Sequence, residues 1–197
     1  MTTRSFLILH GLENHRPPAH WQFWLAARLV DRGHDVLYPG LPNPDFPNDE
    51  IWERELHRQL AEMTDRERVV VCHSLSCVLW FRAAPGLTDQ ERVDRLLLVS
   101  PPASEQIPEA GASFRIAELD TEAITASVRG DIRVACSDAD PYNAAGAQNT
   151  YAPALGAAVD IISGGGHITP ETGYGPWPSA ESWCLDPAHR LRPNAVP

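Results

Sequence analysis

The sequence is short of positive charge: 16 Lys and Arg side chains stand against 26 Asp and Glu, a formal net charge of −10 at pH 7. Nucleic acids and anionic membrane surfaces both select a basic face, so neither is an expected partner. Long apolar runs are also missing, and no stretch approaches the ~20 residues that cross a bilayer. The opening segment, Met1 to His10, is continuously apolar only over Phe6–Leu9. That is shorter than the ~7–15 residues of a secretory core and reads as a first strand. Cysteine is sparse: Cys72, Cys77, Cys136 and Cys184 show neither zinc-type spacing nor the density of a disulfide framework. Reduced thiols in a cytoplasmic protein are the expectation. There is no internal repeat. The remainder is ordinary for a globular protein, with 43% hydrophobic and 21% charged residues among 197, which excludes whole-chain disorder and fits a single domain.

Short apolar runs alternate with longer amphipathic ones. Strands are expected at 5–10, 35–38, 68–72, 95–100, 132–136 and 159–162. Helices are expected at 20–32, 48–63, 75–84 and 142–155, with a last short one at 182–185. The runs at 5–10, 68–72 and 95–100 are apolar on both faces. Such strands are buried on both faces, which means a mostly parallel sheet between two layers of helices. Right-handed crossovers then give a doubly wound α/β fold of six strands, whose functional groups belong at the carboxyl ends of the strands. The domain is expected to span 1–189, with a frayed tail at 190–197. Proline, at 18 residues, clusters at positions 39–47 and 170–178. These are loops, as is the polar stretch 101–130, which is expected to cross the strand tips.

The third strand runs through Val71-Cys72-His73-Ser74-Leu75-Ser76 straight into a helix. A serine on such a turn is presented at the top edge of the sheet, as in the nucleophile elbow G-x-S-x-G. Here Cys72 and Ser76 occupy the glycine positions: small, but with side chains. A serine hydroxyl needs a base, usually histidine oriented by a carboxylate. The loop after the fifth strand supplies Asp138 and Asp140, and the glycine run Gly164-Gly165-Gly166 leads into His167 after the sixth. The order Ser, Asp, His is that of α/β-hydrolases. Ser74, Asp138 and His167 are therefore the expected catalytic residues, with Asp140 the alternative acid. Gly11-Leu12 follows the first strand, and the Leu12 and Leu75 backbone N–H groups are the expected oxyanion donors. Phe46 and Trp177, in proline-rich loops, are expected to line an apolar pocket. His10, His15 and His20 impose no convergent geometry, so no metal and no cofactor are expected.

His10-Gly11, His20-Trp21, Cys72-His73-Ser74-Leu75-Ser76, Ser137-Asp138-Ala139-Asp140-Pro141-Tyr142, Gly166-His167-Ile168 and Gly175-Pro176-Trp177-Pro178 together resemble the small α/β-hydrolase family that includes retinoblastoma-binding protein 9 and YdeN-like bacterial proteins. The resemblance extends from about Phe6 to Trp183. It implies a compact hydrolase without a large lid, a Ser74–His167–Asp138 triad, and hydrolysis of a small-molecule acyl ester or related bond. The second reading is a non-catalytic protein- or ligand-binding protein on the same scaffold, motivated by the side chains at the two elbow glycine positions.

Overall fold

A computed structural model describes residues 3–64 and 66–194. Six strands, β1 (Arg4–Leu9), β2 (Asp35–Leu37), β3 (Glu67–His73), β4 (Arg95–Val99), β5 (Ile132–Cys136) and β6 (Ala158–Ile161), form one sheet in the order β2-β1-β3-β4-β5-β6. Every pairing is parallel. The chain winds outward from β1 to β2, then returns to place β3 on the other side. The switch point lies between β1 and β3, where an open α/β sheet leaves a crevice at its carboxyl end.

The two-residue period of a strand sorts the apolar side chains into two layers. Phe6 and Ile8, Val69 and Val71, and Leu97 and Val99 point to one face. There they pack with Trp21, Leu25 and Leu29 of α1 (Trp21–Asp31) and with Trp183 of α7 (Pro178–Leu185). The intervening residues, Leu7 and Leu9, Val70 and Cys72, Leu96 and Leu98, meet α2 (Asp49–Glu62) and α3 (Leu75–Ala83) through Trp52, Leu56, Val78 and Leu79. Each fully buried side chain of this size contributes about 1.5–3 kcal/mol, so both layers are needed. Strands apolar on both faces are thus the direct cause of the sandwich.

Two departures from expectation have local causes, and a third comes from contacts distant along the chain. The helix expected over 142–155 is two single turns, α5 (Ala147–Thr150) and α6 (Ala152–Leu155), after the short α4 (Thr121–Ala126). Gly146 at φ +81° blocks helix before α5, and Tyr151 at φ −120° separates the two turns. The last helix begins at Pro178, because proline suits the first turn, where no amide donor is required. The stretch from 190, expected to fray, carries a buried Leu191 whose amide donates to Asp160 Oδ2 at 3.0 Å. Asn194 donates to the carbonyls of Gly173 and Pro176. The rest of the expected tail, 195–197, lies outside the described residues.

Candidate active site

Ser74 joins β3 to α3 at φ +58°, ψ −123°, a conformation that costs a non-glycine residue about 1–3 kcal/mol. Its neighbours hold it there. The Ser74 amide donates to Val99 O at 2.9 Å, and Ser74 O accepts from the Cys77 amide at 2.9 Å. The two residues at the usual glycine positions are built into the turn. The buried Ser76 hydroxyl accepts from the His73 amide at 2.9 Å and lies 2.8 Å from Leu9 O and 2.9 Å from His73 O, to which it donates. It thereby staples the end of β1 to the end of β3. Cys72 is part of the core, where burial pushes its thiol pKa up and leaves it a neutral packing group. Glycine is needed across the crevice instead: a Cβ on Gly11 would stand 2.7 Å from Ser74 Cβ.

His167 Nε2 lies 2.8 Å from Ser74 Oγ. On the other side of the ring, Nδ1 lies 2.9 and 3.0 Å from the two carboxylate oxygens of Asp140. A carboxylate only accepts, so the proton is on Nδ1 and Nε2 offers its lone pair to the serine hydroxyl. Asp140 is 5% exposed and also accepts from the Tyr142 amide at 3.0 Å, which orients the carboxylate. Asp138 does not meet the histidine. Its oxygens accept from Ser163 Oγ and the Gly164 amide, both at 2.7 Å, and the amide together with the hydroxyl holds this exposed carboxyl below its usual range. The expected trio of Ser74, Asp138 and His167 is thus corrected at one member: the aspartate beside the ring is Asp140. After β5 the chain turns Asp138 outward, where it ties down the start of the loop carrying His167, and turns Asp140 inward. The Asp-Pro-Tyr turn, whose Asp140 side chain caps the Tyr142 amide, was the available signal.

Leu75 opens α3, whose first amides have no partner within the helix. Leu12 follows Gly11, and both leucines line the crevice with Ser74 and His167. The cleft encloses about 650 Å³. One wall comes from the stretch after β4, through Pro102, Ile107 and Pro108, and another from Thr169, Pro170 and Glu171. The two aromatics expected to line the pocket do not. Trp177 is fully buried, edge-on to Trp21 and Tyr174, and Phe46 is 71% exposed outside the cleft lining. The aromatic that does line it is Tyr142, whose ring centroid stands 4.5 Å from that of His167.

The three early histidines each anchor backbone or a loop. His10 Nε2 accepts from the Leu41 amide and Nδ1 donates to Gly11 O, and burial lowers its pKa to about 4. His15 Nε2 meets Asp45 Oδ1 at 2.8 Å, joining the loop after β1 to the loop after β2. His20 caps α1 by accepting from the Gln22 amide. Among the described residues, no group of three or more His, Cys, Asp or Glu side chains is placed to hold a metal ion, and no helix is long and apolar enough to cross a membrane.

These features can be set beside known proteins. The chain is 26% identical over 178 residues to YdeN of Bacillus subtilis (strain 168), an alignment covering 87% of this chain and 90% of that one. The crystal structure of the ydeN gene product superposes with a TM-score of 0.79 at 24% identity, over 93% of this chain and 97% of the other. A YdeN-like protein from Pectobacterium atrosepticum gives a TM-score of 0.69 at 16% identity, over 91% and 88% of the two chains. The fold is that of the compact α/β-hydrolases. Residues 6–184, nearly the whole chain, match the serine hydrolase family, and the chain belongs to that family.

Proposed function

We propose that the protein hydrolyses small carboxylic esters through Ser74, His167 and Asp140. One observation carries this reading: a continuous line of contacts, 2.8 Å and then 2.9 Å, from an elbow serine through a histidine to a buried aspartate, with Ser74 and His167 lining the cleft at the carboxyl end of the sheet. Ser74 Oγ attacks the ester carbonyl carbon while its proton passes to His167 Nε2. The negative charge that develops on the carbonyl oxygen is received by the Leu12 and Leu75 amides. As the intermediate collapses, the C–O bond breaks and His167 returns its proton to the departing alkoxide. Water then enters, gives a proton to His167 and attacks the acyl carbon, and Ser74 leaves with that proton. Asp140 stays ionised throughout and stabilises the imidazolium.

The cleft also sets a charge preference. Among the described residues its carboxylates are Glu13 and Glu171 and no arginine lines it, and a hydrogen bond from Thr169 holds the exposed Glu171 carboxyl below its usual range. A neutral or cationic substrate is favoured over one bearing a carboxylate or phosphate. The four buried, unpaired thiols fit a reducing compartment such as the cytoplasm.

The test is a panel of short-chain p-nitrophenyl esters matched in length and carrying neutral, ammonium or carboxylate ends. The purified protein should turn over the neutral member, and kcat/KM should fall for the carboxylate member. Ser74→Ala should lower turnover by on the order of 10⁴ or more and abolish labelling by a fluorophosphonate. An unlabelled wild type, or an Ala variant with full activity, defeats the assignment and leaves the binding-only reading.

A further inference from the structure

The cleft is built from two unlike walls. Strands β1 and β4 flank β3 on opposite sides, so the segments that follow them face each other across Ser74. The segment after β6 crosses to the β1 side, where Tyr174 O accepts from the Trp21 amide at 3.2 Å. Both carboxylates that line the cleft lie on these two segments, Glu13 after β1 and Glu171 after β6. The segment after β4 contributes Pro102, Ile107 and Pro108, and among its described residues none brings a charged side chain to the lining.

The apolar wall ends in a buried side chain. Ile107 lines the cleft but is only 2% exposed, so little more than its tip closes the pocket. Leu75, at the start of α3, lines the cleft beside it and is equally buried. Gly111, in the 3₁₀ segment Glu109–Phe114, is buried behind both and outside the lining. A Cβ at Gly111 would stand 3.1 Å from Ile107 Cγ2 and 3.3 Å from Leu75 Cδ2. A side chain there has to press on the two residues that border the cleft. Close packing of this kind transmits a change of one methyl group.

We propose that the acyl half of the substrate lies against the apolar wall, with Ile107, backed by Gly111, as the stop that sets its length, and that the alcohol half lies against the carboxylate wall. The substrate class is an ester joining a short apolar acid to a neutral or cationic polar alcohol. This orientation rests on the hydrolase reading above. The departing oxygen takes its proton from His167 Nε2, and the chain beyond His167 runs into Thr169, Pro170 and Glu171, so the alcohol leaves along the polar wall. The carbonyl oxygen faces the Leu75 amide, which sets the acyl carbons beside the Leu75 side chain, with Ile107 next to it.

A series of linear acyl esters of one common alcohol, from acetyl to octanoyl, tests the stop. Wild-type kcat/KM should rise about fourfold for each methylene that the wall buries and fall once the chain meets Ile107. Ile107→Ala should move the optimum about two methylenes longer, and Gly111→Ala should move it shorter. Ile107→Val, a one-carbon change, should shift it slightly in the same direction as Ile107→Ala and carries the test if the Ala variant does not fold. With the acyl group held constant, a carboxylate on the alcohol half should depress kcat/KM more in the wild type than in Glu171→Gln. An optimum unmoved by the Ile107 and Gly111 variants while turnover persists overturns the proposal and leaves the hydrolase reading standing. Methyl NMR of Ser74→Ala gives a readout independent of turnover: a short linear methyl ketone should shift the Ile107 and Leu75 methyl signals, and unmoved signals overturn the seating. If the wild type hydrolyses no member and takes no fluorophosphonate, the hydrolase reading fails by itself and the methyl spectra still decide whether this wall takes an apolar chain.

Discussion

At the amino end of the sheet, Glu67 lies between Arg4 and Arg95, whereas at the carboxyl end Asp138 and Asp140 face hydrogen-bond donors rather than arginines and several buried polar groups lack partners. Arg95 donates to Glu67 Oε1 at 2.7 Å and to the carbonyls of Trp183 and Cys184 at 2.9 and 2.8 Å, with its guanidinium 5.0 Å over the Trp183 ring. The Arg68 amide donates to Asp94, and Arg4 completes the Glu67 cluster. At the other end, Ser74, Ser100 and Ile168 have positive φ, and His20 Nε2, His73 Nδ1 and Ser100 Oγ are buried and unpaired. Charge is spent on pairing where the strands begin, and strain is stored where they end. The same buried strands connect both ends, so a firm base carries an expensive rim. Strain of this kind persists only where the surroundings over-determine it, and the Ser76 staple, His73 Nε2 on His167 O and Trp21 Nε1 on Ile168 O are those surroundings.

The sharpest way to test this contrast is at the rim. Asp140→Asn should lower kcat by on the order of 10⁴, because the amide no longer holds the His167 tautomer, while the folded structure stays intact. Asp138→Asn should leave kcat within a few-fold, since its oxygens serve Ser163 and Gly164. Steady-state kinetics of both variants decide it, and equal losses would erase the distinction between the two aspartates. At the base the expected effects reverse. Arg95→Ala should cost about 3 kcal/mol in urea unfolding, by stranding two buried carbonyls and half of the Glu67 cluster, with kcat unchanged for the folded protein. A kinetic defect of similar size would mean that the ends are not independent. The smallest effect is a pH dependence. Burial alone would raise the Glu67 carboxyl, but Arg4 and Arg95 outweigh it and hold it below its usual value of 4.5. A depressed folded-state pKa contributes stability above 4.5 that is lost as pH falls through the folded value. Glu67→Gln should therefore be less stable than wild type at neutral pH and lose less stability on acidification below 4.5.

Much of this architecture could be read in the linear chain because its causes are local. Three consecutive valines, Val69–Val71, can only be a strand buried on both faces, and Gly33 at φ +79° ends a helix where the pattern puts its end. The proposed nucleophile and base, Ser74 and His167, were legible as candidates for the same reason: a serine between an apolar strand and a helix, and a histidine after a glycine run, are defined by their immediate neighbours. The long helix expected over 142–155 is broken by local chemistry, since Gly146 at φ +81° and Tyr151 at φ −120° interrupt it.

Other questions have no local answer. Asp138 and Asp140 differ by two positions in one turn, and only the packed positions of His167 and of the Ser163–Gly164 turn decide which carboxylate meets the imidazole. Trp177 sits in a proline-rich loop like a pocket residue, yet Trp21 and Tyr174 enclose it in the core. The order of residues along the polymer settled the sheet, its layers and the chemical types at its rim, because periodicity and turn preference act over a few residues. Which of those groups touch was settled only on folding, because hydrogen bonds reach about 3 Å and the partners are brought within that distance by strands far apart in the chain.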